Sequence, residues 1–185
     1  DCVTSIGENA FRDCSGLTSI VIPNSVTSIG ENAFDYCSGL TSIVIPNSVT
    51  SIGTQAFDYC ISLTSCTIGS GVTSIGNYAF GACTSLSSIT IPDSVTSIGE
   101  GVFNSCGSLT SCTIGSGVTS IGASVFGYCP SLTSVTIKAT TPPTLGEYAF
   151  YNANSAIIYV PAQSVNTYKQ ASGWSSYSSR ITAIQ

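Results

Sequence analysis

The sequence predicts an α/β repeat solenoid, mostly β, with short strands, helical or 3₁₀ turns between them and a cap at the C-terminal end. Three observations carry that expectation. The pentapeptide Val-Thr-Ser-Ile-Gly begins at Val3, Val26, Val49, Val72, Val95 and Val118, a 23-residue period without an insertion. Each period repeats the same apolar columns, such as Phe11, Phe34, Phe57, Phe80, Phe103 and Phe126. Charged residues make up only 7% of the 185 residues against 43% apolar ones, where an ordinary domain carries about 25% charged. A stretch of 23 residues cannot bury a core by itself. The columns find shelter only when successive coils stack.

Within one coil, Leu17-Thr18-Ser19-Ile20-Val21-Ile22 reads as a strand, with Ile20 and Ile22 inward and Ser19 and Val21 outward. Pro23-Asn24-Ser25 ends it, and in two coils Gly69-Ser70-Gly71 and Gly115-Ser116-Gly117 do the same. Val26 to Ile29 is a second short extended piece, stopped by Gly30. Glu31 to Cys37 then places Phe34 and Cys37 three apart, as one helical or 3₁₀ turn with both side chains inward requires. The strands of successive coils should form a parallel sheet with a spacing of about 4.8 Å. Seven coils give a body about 30 Å long at that spacing.

The solenoid is expected over residues 1–163, with six regular repeats over 3–140 and an altered seventh over about 141–163. In the seventh, Thr144 to Phe150 and Ile158-Tyr159-Val160-Pro161 echo the earlier coils. Residues 164–185 leave the period. Val165, Tyr168 and Ala171 share one face of a short helix that Gly173 ends, and this segment should cover the last coil. Asp1-Cys2 begins at a coil boundary, so further repeats or another domain are expected before it.

The composition excludes several function classes. Four Lys and Arg residues in all cannot neutralise a row of phosphates, so no nucleic acid is expected as partner. No run of about 18 apolar residues is present to insert in a membrane. Histidine is absent, which removes every triad, metal site or pH switch built on it. No serine–lysine, phosphate-loop or calcium-loop pattern occurs. Carboxylates form a column of Glu8, Glu31, Glu100 and Glu147 and an adjacent pair, Asp35 and Asp58. A filled solenoid offers them no deep pocket, so these are read as solubilising turn residues. No enzyme, cofactor or metal is expected.

Six of the nine cysteines form one column: Cys14, Cys37, Cys60, Cys83, Cys106 and Cys129. Zinc pairs of the C-x₂₋₄-C kind are missing. Neighbours about 4.8 Å apart, with parallel Cβ directions, do not meet disulfide geometry. Cys66 and Cys112 replace inward isoleucines two coils apart. Eight thiols are therefore expected to be buried and inert, with Cys2 the exception.

The pattern L-x-x-I-x-I-P followed by V-x-x-I-G-x-x-A-F-x-x-C resembles the leucine-rich repeat of BspA-like bacterial surface proteins, a close relative of the Treponema type. The ending also resembles that family's cap: Tyr159-Val160-Pro161, then Tyr168 to Ala171, Trp174 and Ile181 to Ile184. The resemblance implies a right-handed leucine-rich repeat coil stack whose parallel sheet lines a concave face, the usual ligand surface. The asparagine that ordinarily follows the strand is replaced by Ser25, Ser48, Gly71, Ser94 and Gly117, and the cysteine column is a candidate substitute.

On that face the outward residues are Ser65, Thr67, Ser88, Thr90, Ser111, Thr113, Ser134 and Thr136, preceded by Val21 and Val44. Tyr36 and Tyr59, one coil apart, form a candidate aromatic patch. The resemblance points to an extracellular, cell-surface adhesion module that binds a host or bacterial protein or a glycan. A structural spacer and an ice-binding threonine array are the alternatives.

Overall fold

The computed structural model describes residues 3–185; Cys2 lies outside the described residues. The chain winds into stacked coils held by two parallel ladders. One runs unbroken through seven two-residue strands: Ser5–Ile6, Ser28–Ile29, Ser51–Ile52, Ser74–Ile75, Ser97–Ile98, Ser120–Ile121 and Thr144–Leu145. Its register pairs Ser28 with Ser51 and Ile29 with Ile52, one period apart. The other ladder contains the longer strands Ser42–Ile45, Ser65–Ile68, Ser88–Ile91, Ser111–Ile114, Ser134–Ile137, Ile157–Val160 and Ile181–Ala183.

The longer ladder is not one sheet. Strands Ser42–Ile45 and Ser65–Ile68 pair with each other, and the remaining five form a separate sheet. Residues 17–22, expected as the first strand, are in no strand, and the later strands of the regular repeats begin at the serine, two residues after the leucine. The break before Ser88 coincides with a change of side chain. Thr41, Thr64, Thr110 and Thr133 each donate a hydroxyl to the carbonyl one coil earlier, at 2.9–3.3 Å. At the missing step the column carries Ser87, and among the described residues no hydrogen bond joins it to Thr64. Elsewhere these bonds lock the register, because each threonine reaches a carbonyl only at the correct offset.

The turn on the third side makes its own ladder, with the opposite polarity. Phe34 N–H donates to Ala56 O and Tyr36 N–H to Asp58 O, one coil onward. Within the coil, Cys37 N–H closes back on Phe34 O at 3.1 Å. Two residues per turn take a left-handed φ, for example Asn32 (51°) and Tyr36 (56°). That reversal stops the turn from continuing as a helix.

The interior matches the repeat columns. Phe34, Phe57, Phe80 and Phe103 are fully buried, and the phenylalanine rings stack from Phe11 to Phe150 at centroid spacings of 5.0–5.9 Å. The cap closes the far end. Tyr168, on the helix Val165–Gln170, and Trp174 are fully buried. Their polar atoms are satisfied: Tyr168 O–H donates to Ala139 O at 2.8 Å and Trp174 N–H to Pro143 O at 2.7 Å. Strand Ile181–Ala183 adds a last rung beside Ile157–Val160.

Candidate functional site

Alternation along the strands sorts the predicted ligand face as expected. In Ser42–Ile45 and Ser88–Ile91 the serine and third residue are exposed while both isoleucines are buried. Ser65, Thr67, Ser88 and Thr90 are exposed, whereas Ser111, Thr113, Ser134 and Thr136 are half-buried. The difference follows the sheet. Where strands pair on both sides, outward side chains crowd one another at strand spacing. At the break they stand apart, and a slot of about 400 Å³ opens between Ser65–Ile68 and Ser88–Ile89. A second depression of about 610 Å³ lies where residues 19–22 fail to pair, with Val21 and Val44 on its surface. The structure thus brings half of the predicted face together around a seam.

Tyr36 and Tyr59 stack face to face, centroids 4.6 Å apart and 3° from parallel, each a little over 40% exposed. Stacking and exposure coexist, so the pair presents a continuous aromatic surface to solvent. Beneath it, Asp35 and Asp58 are buried. Asp58 accepts from Gln55 at 3.1 Å and from Tyr59 N–H at 3.1 Å. Arg12 approaches Asp35 Oδ2 at 3.2 Å, while Asp35 Oδ1 is buried with no partner. Burial raises both carboxyls above their ordinary value, and the neighbouring Asp58 charge adds to the effect on Asp35. The glutamate column, by contrast, is exposed throughout.

The cysteine column has a structural job. Cys37, Cys60, Cys83, Cys106 and Cys129 each donate a thiol hydrogen to the phenylalanine carbonyl of the preceding coil, Phe11 to Phe103, at 3.1–3.3 Å. The strand-end serines do likewise: Ser25, Ser48 and Ser94 donate to Val3, Val26 and Val72 carbonyls at 2.6–2.7 Å. Both columns therefore stand in for the missing asparagine. Where glycine replaces serine, at Gly71 and Gly117, a Cβ would strike the carbonyls of Asn47 and Asp93. The expectation of eight inert thiols needs correction. Cys14 is exposed because no coil covers it among the described residues, and Cys66 is half-buried beside the seam.

Sequence reasoning missed Tyr148 and Tyr151, which are 65% and 50% exposed at the last coil. The signal was a departure from the columns. Tyr151 takes the place held by Arg12, Asp35, Asp58, Gly81, Asn104 and Gly127, whereas the column of Tyr148 already holds one tyrosine, Tyr78. Among the described residues no group of three or more His, Cys, Asp or Glu side chains is placed to hold a metal ion.

The chain matches the BspA type leucine rich repeat region in six copies, over residues 4–133 and 52–172. No curated protein matches it. Its fold is similar to the crystal structure of the T. pallidum leucine rich repeat protein, with TM-score 0.72 and 28% identity, covering 84% of this chain and 72% of that one. A leucine rich cell surface protein from Faecalibacterium prausnitzii A2-165 is similar at TM-score 0.63 and 30% identity, over 98% of this chain and 53% of that one. A leucine-rich repeat protein from Bacteroides ovatus gives 0.60 and 25%, over 85% and 53%. The chain thus spans about half the length of the last two.

Proposed function

Because the chain belongs to the BspA-type leucine-rich repeat family, we propose that it is a non-catalytic interaction module of a bacterial cell-surface protein. Its ligand, a protein or glycan of a host or another bacterium, docks on the outward residues of the longer strands. The observation that carries this reading is the seam, where Ser65, Thr67, Ser88 and Thr90 are exposed around an open slot between the two sheets of the longer ladder. Hydroxyls and methyls on a rigid strand offer polar and apolar contact with little entropy to lose on binding. The low charge fits a surface that holds rather than transforms its partner. Surface location is supported by the cell-surface relative.

The test is a binding screen against extracellular-matrix proteins and a glycan array. Thr67→Glu, Thr90→Glu and Thr113→Glu together should abolish binding of a matrix protein found in the screen, with the circular dichroism spectrum and melting unchanged. Binding that survives these changes would place the ligand elsewhere.

A further inference from the structure

The last coil and the cap enclose an open groove of about 740 Å³, remote in sequence from the strand seam. Its volume lies in the range of roughly 300–1,000 Å³ typical of small-molecule sites. One wall is the turn of the seventh coil, carrying Glu147, Tyr148, Tyr151 and Asn152; the other is the cap, carrying Tyr177 and Arg180. We propose that this groove binds a pyranose saccharide.

Four features support a sugar. First, Tyr148 and Tyr151 meet edge to face, centroids 6.3 Å apart at 89°, so one ring braces the other while both remain largely exposed. A braced exposed ring is a platform for the apolar face of a pyranose. Second, the pair arises only in this coil. The column of Tyr151 holds Arg12, Asp35, Asp58, Gly81, Asn104 and Gly127 in the others, so Tyr78, the other tyrosine in the column of Tyr148, faces Gly81 and has no such partner in its own turn. In the regular coils the next coil covers that ground, as Tyr78 N–H bonding to Glu100 O illustrates.

Third, the polar groups match what a ring of hydroxyls demands. Glu147 is an acceptor, Asn152 and Asn154 offer both donor and acceptor, and Arg180 is a donor. Glu147 makes no ion pair among the described residues. Fourth, the cap wall is fixed. The Arg180 guanidinium lies 4.9 Å from the Tyr177 ring centroid and 5.5 Å from that of Phe150, and Nη1 donates to Ala153 O at 2.7 Å. Burial lowers the arginine's proton affinity somewhat, which favours a neighbour that accepts hydrogen bonds from it. Gly173, at φ +79°, brings the cap backbone against Leu145 at the groove floor, where a Cβ would lie 3.0 Å from the Leu145 carbonyl oxygen.

The experiment is saturation-transfer NMR on the full chain with the methyl glycosides of glucose, galactose, mannose and N-acetylglucosamine, and with N-acetylneuraminic acid. A proline-rich peptide serves as a second probe. The expected result is transfer to at least one saccharide, with affinity falling about tenfold or more in Tyr151→Ala and in Tyr148→Ala. Glu147→Gln should weaken it less, and Thr67→Glu, on the strand face, should leave it unchanged. Both tyrosines are exposed, so their variants should fold; unchanged melting verifies this. The proposal is overturned if no saccharide binds at millimolar concentration, if binding ignores both tyrosine substitutions, or if only the peptide perturbs the groove.

Discussion

The first and last coils of this stretch carry the same kinds of residue in different circumstances. At the first coil Phe11 and Ile20 are half-buried, Cys14 is exposed and residues 19–22 form no strand. At the last coil Phe150 is 2% exposed, Ile158 is fully buried, and strand Ile157–Val160 is paired on both sides. The sequence letters in these columns scarcely differ. What differs is the presence of a neighbour: Tyr177 meets the Phe150 ring edge-on at 5.1 Å, whereas Phe11 is stacked on one side, by Phe34. Burial here is a property of the stack and not of the residue.

The largest expected effect contrasts a middle coil with the first. Phe80→Ala should cost about 3–5 kcal/mol through the cavity it leaves, whereas Phe11→Ala should cost less than about half as much, since less contact is lost. Urea unfolding of the two variants measures the difference, and equal losses would show that the first coil is as well packed as the fourth.

The next variant makes the covered end resemble the other. Trp174→Ala removes a fully buried ring and leaves the Pro143 carbonyl without its donor. A loss of about 3–5 kcal/mol is expected, with faster amide exchange in Ile157–Val160 and Ile181–Ala183 but not in Ser42–Ile45. Exchange that rises evenly along the chain would mean that the cap stabilises the whole body and not its own end.

Thiol chemistry gives a finer reading of the same gradient. Burial pushes Cys37 to about 11 and Cys129 to about 12, and it raises Cys60, Cys83 and Cys106 as well. Thiolates do the reacting. At pH 8, Cys14 should therefore react with a maleimide first and Cys66 more slowly, while the inner column reacts only after denaturant is added. Mass spectrometry assigns the sites, and prompt labelling of Cys83 would break the ladder description.

The smallest effect concerns Asp35 and Asp58. Their folded-state values lie above the ordinary 3.8, chiefly because burial penalises the charged form. The folded protein then binds more protons than the unfolded one, so stability should fall as pH rises from about 3.8 through the raised values. The contribution of these two groups to the melting temperature should be larger near about pH 4 than at about pH 7.5. Asp35→Asn with Asp58→Asn should flatten that slope; an unchanged slope assigns it to other groups.

Much of this architecture was legible in the residues. The valine, isoleucine and phenylalanine columns recur at one spacing, and identical spacing leaves stacking as the only way to bury them. The helix carrying Val165 and Tyr168 was equally readable, because a 3.6-residue period replaces the repeat there, but it stops at Gln170, with Ala171 already extended, and not at Gly173. The sites were less so. The outward serines and threonines followed from strand alternation, but nothing in Ser87 announces that two sheets separate beside it. Cys14 looks like every other member of its column.

By itself, then, the sequence determined the coil, its register and which side chains face inward, because these depend on local alternation and on a period that the six regular copies obey. The tertiary structure alone decided where the ladder opens, which thiol meets solvent and that a groove forms between Tyr151 and Arg180. Those outcomes depend on what lies one coil above or below a residue, and at the ends and at the seam that neighbour changes while the letter does not.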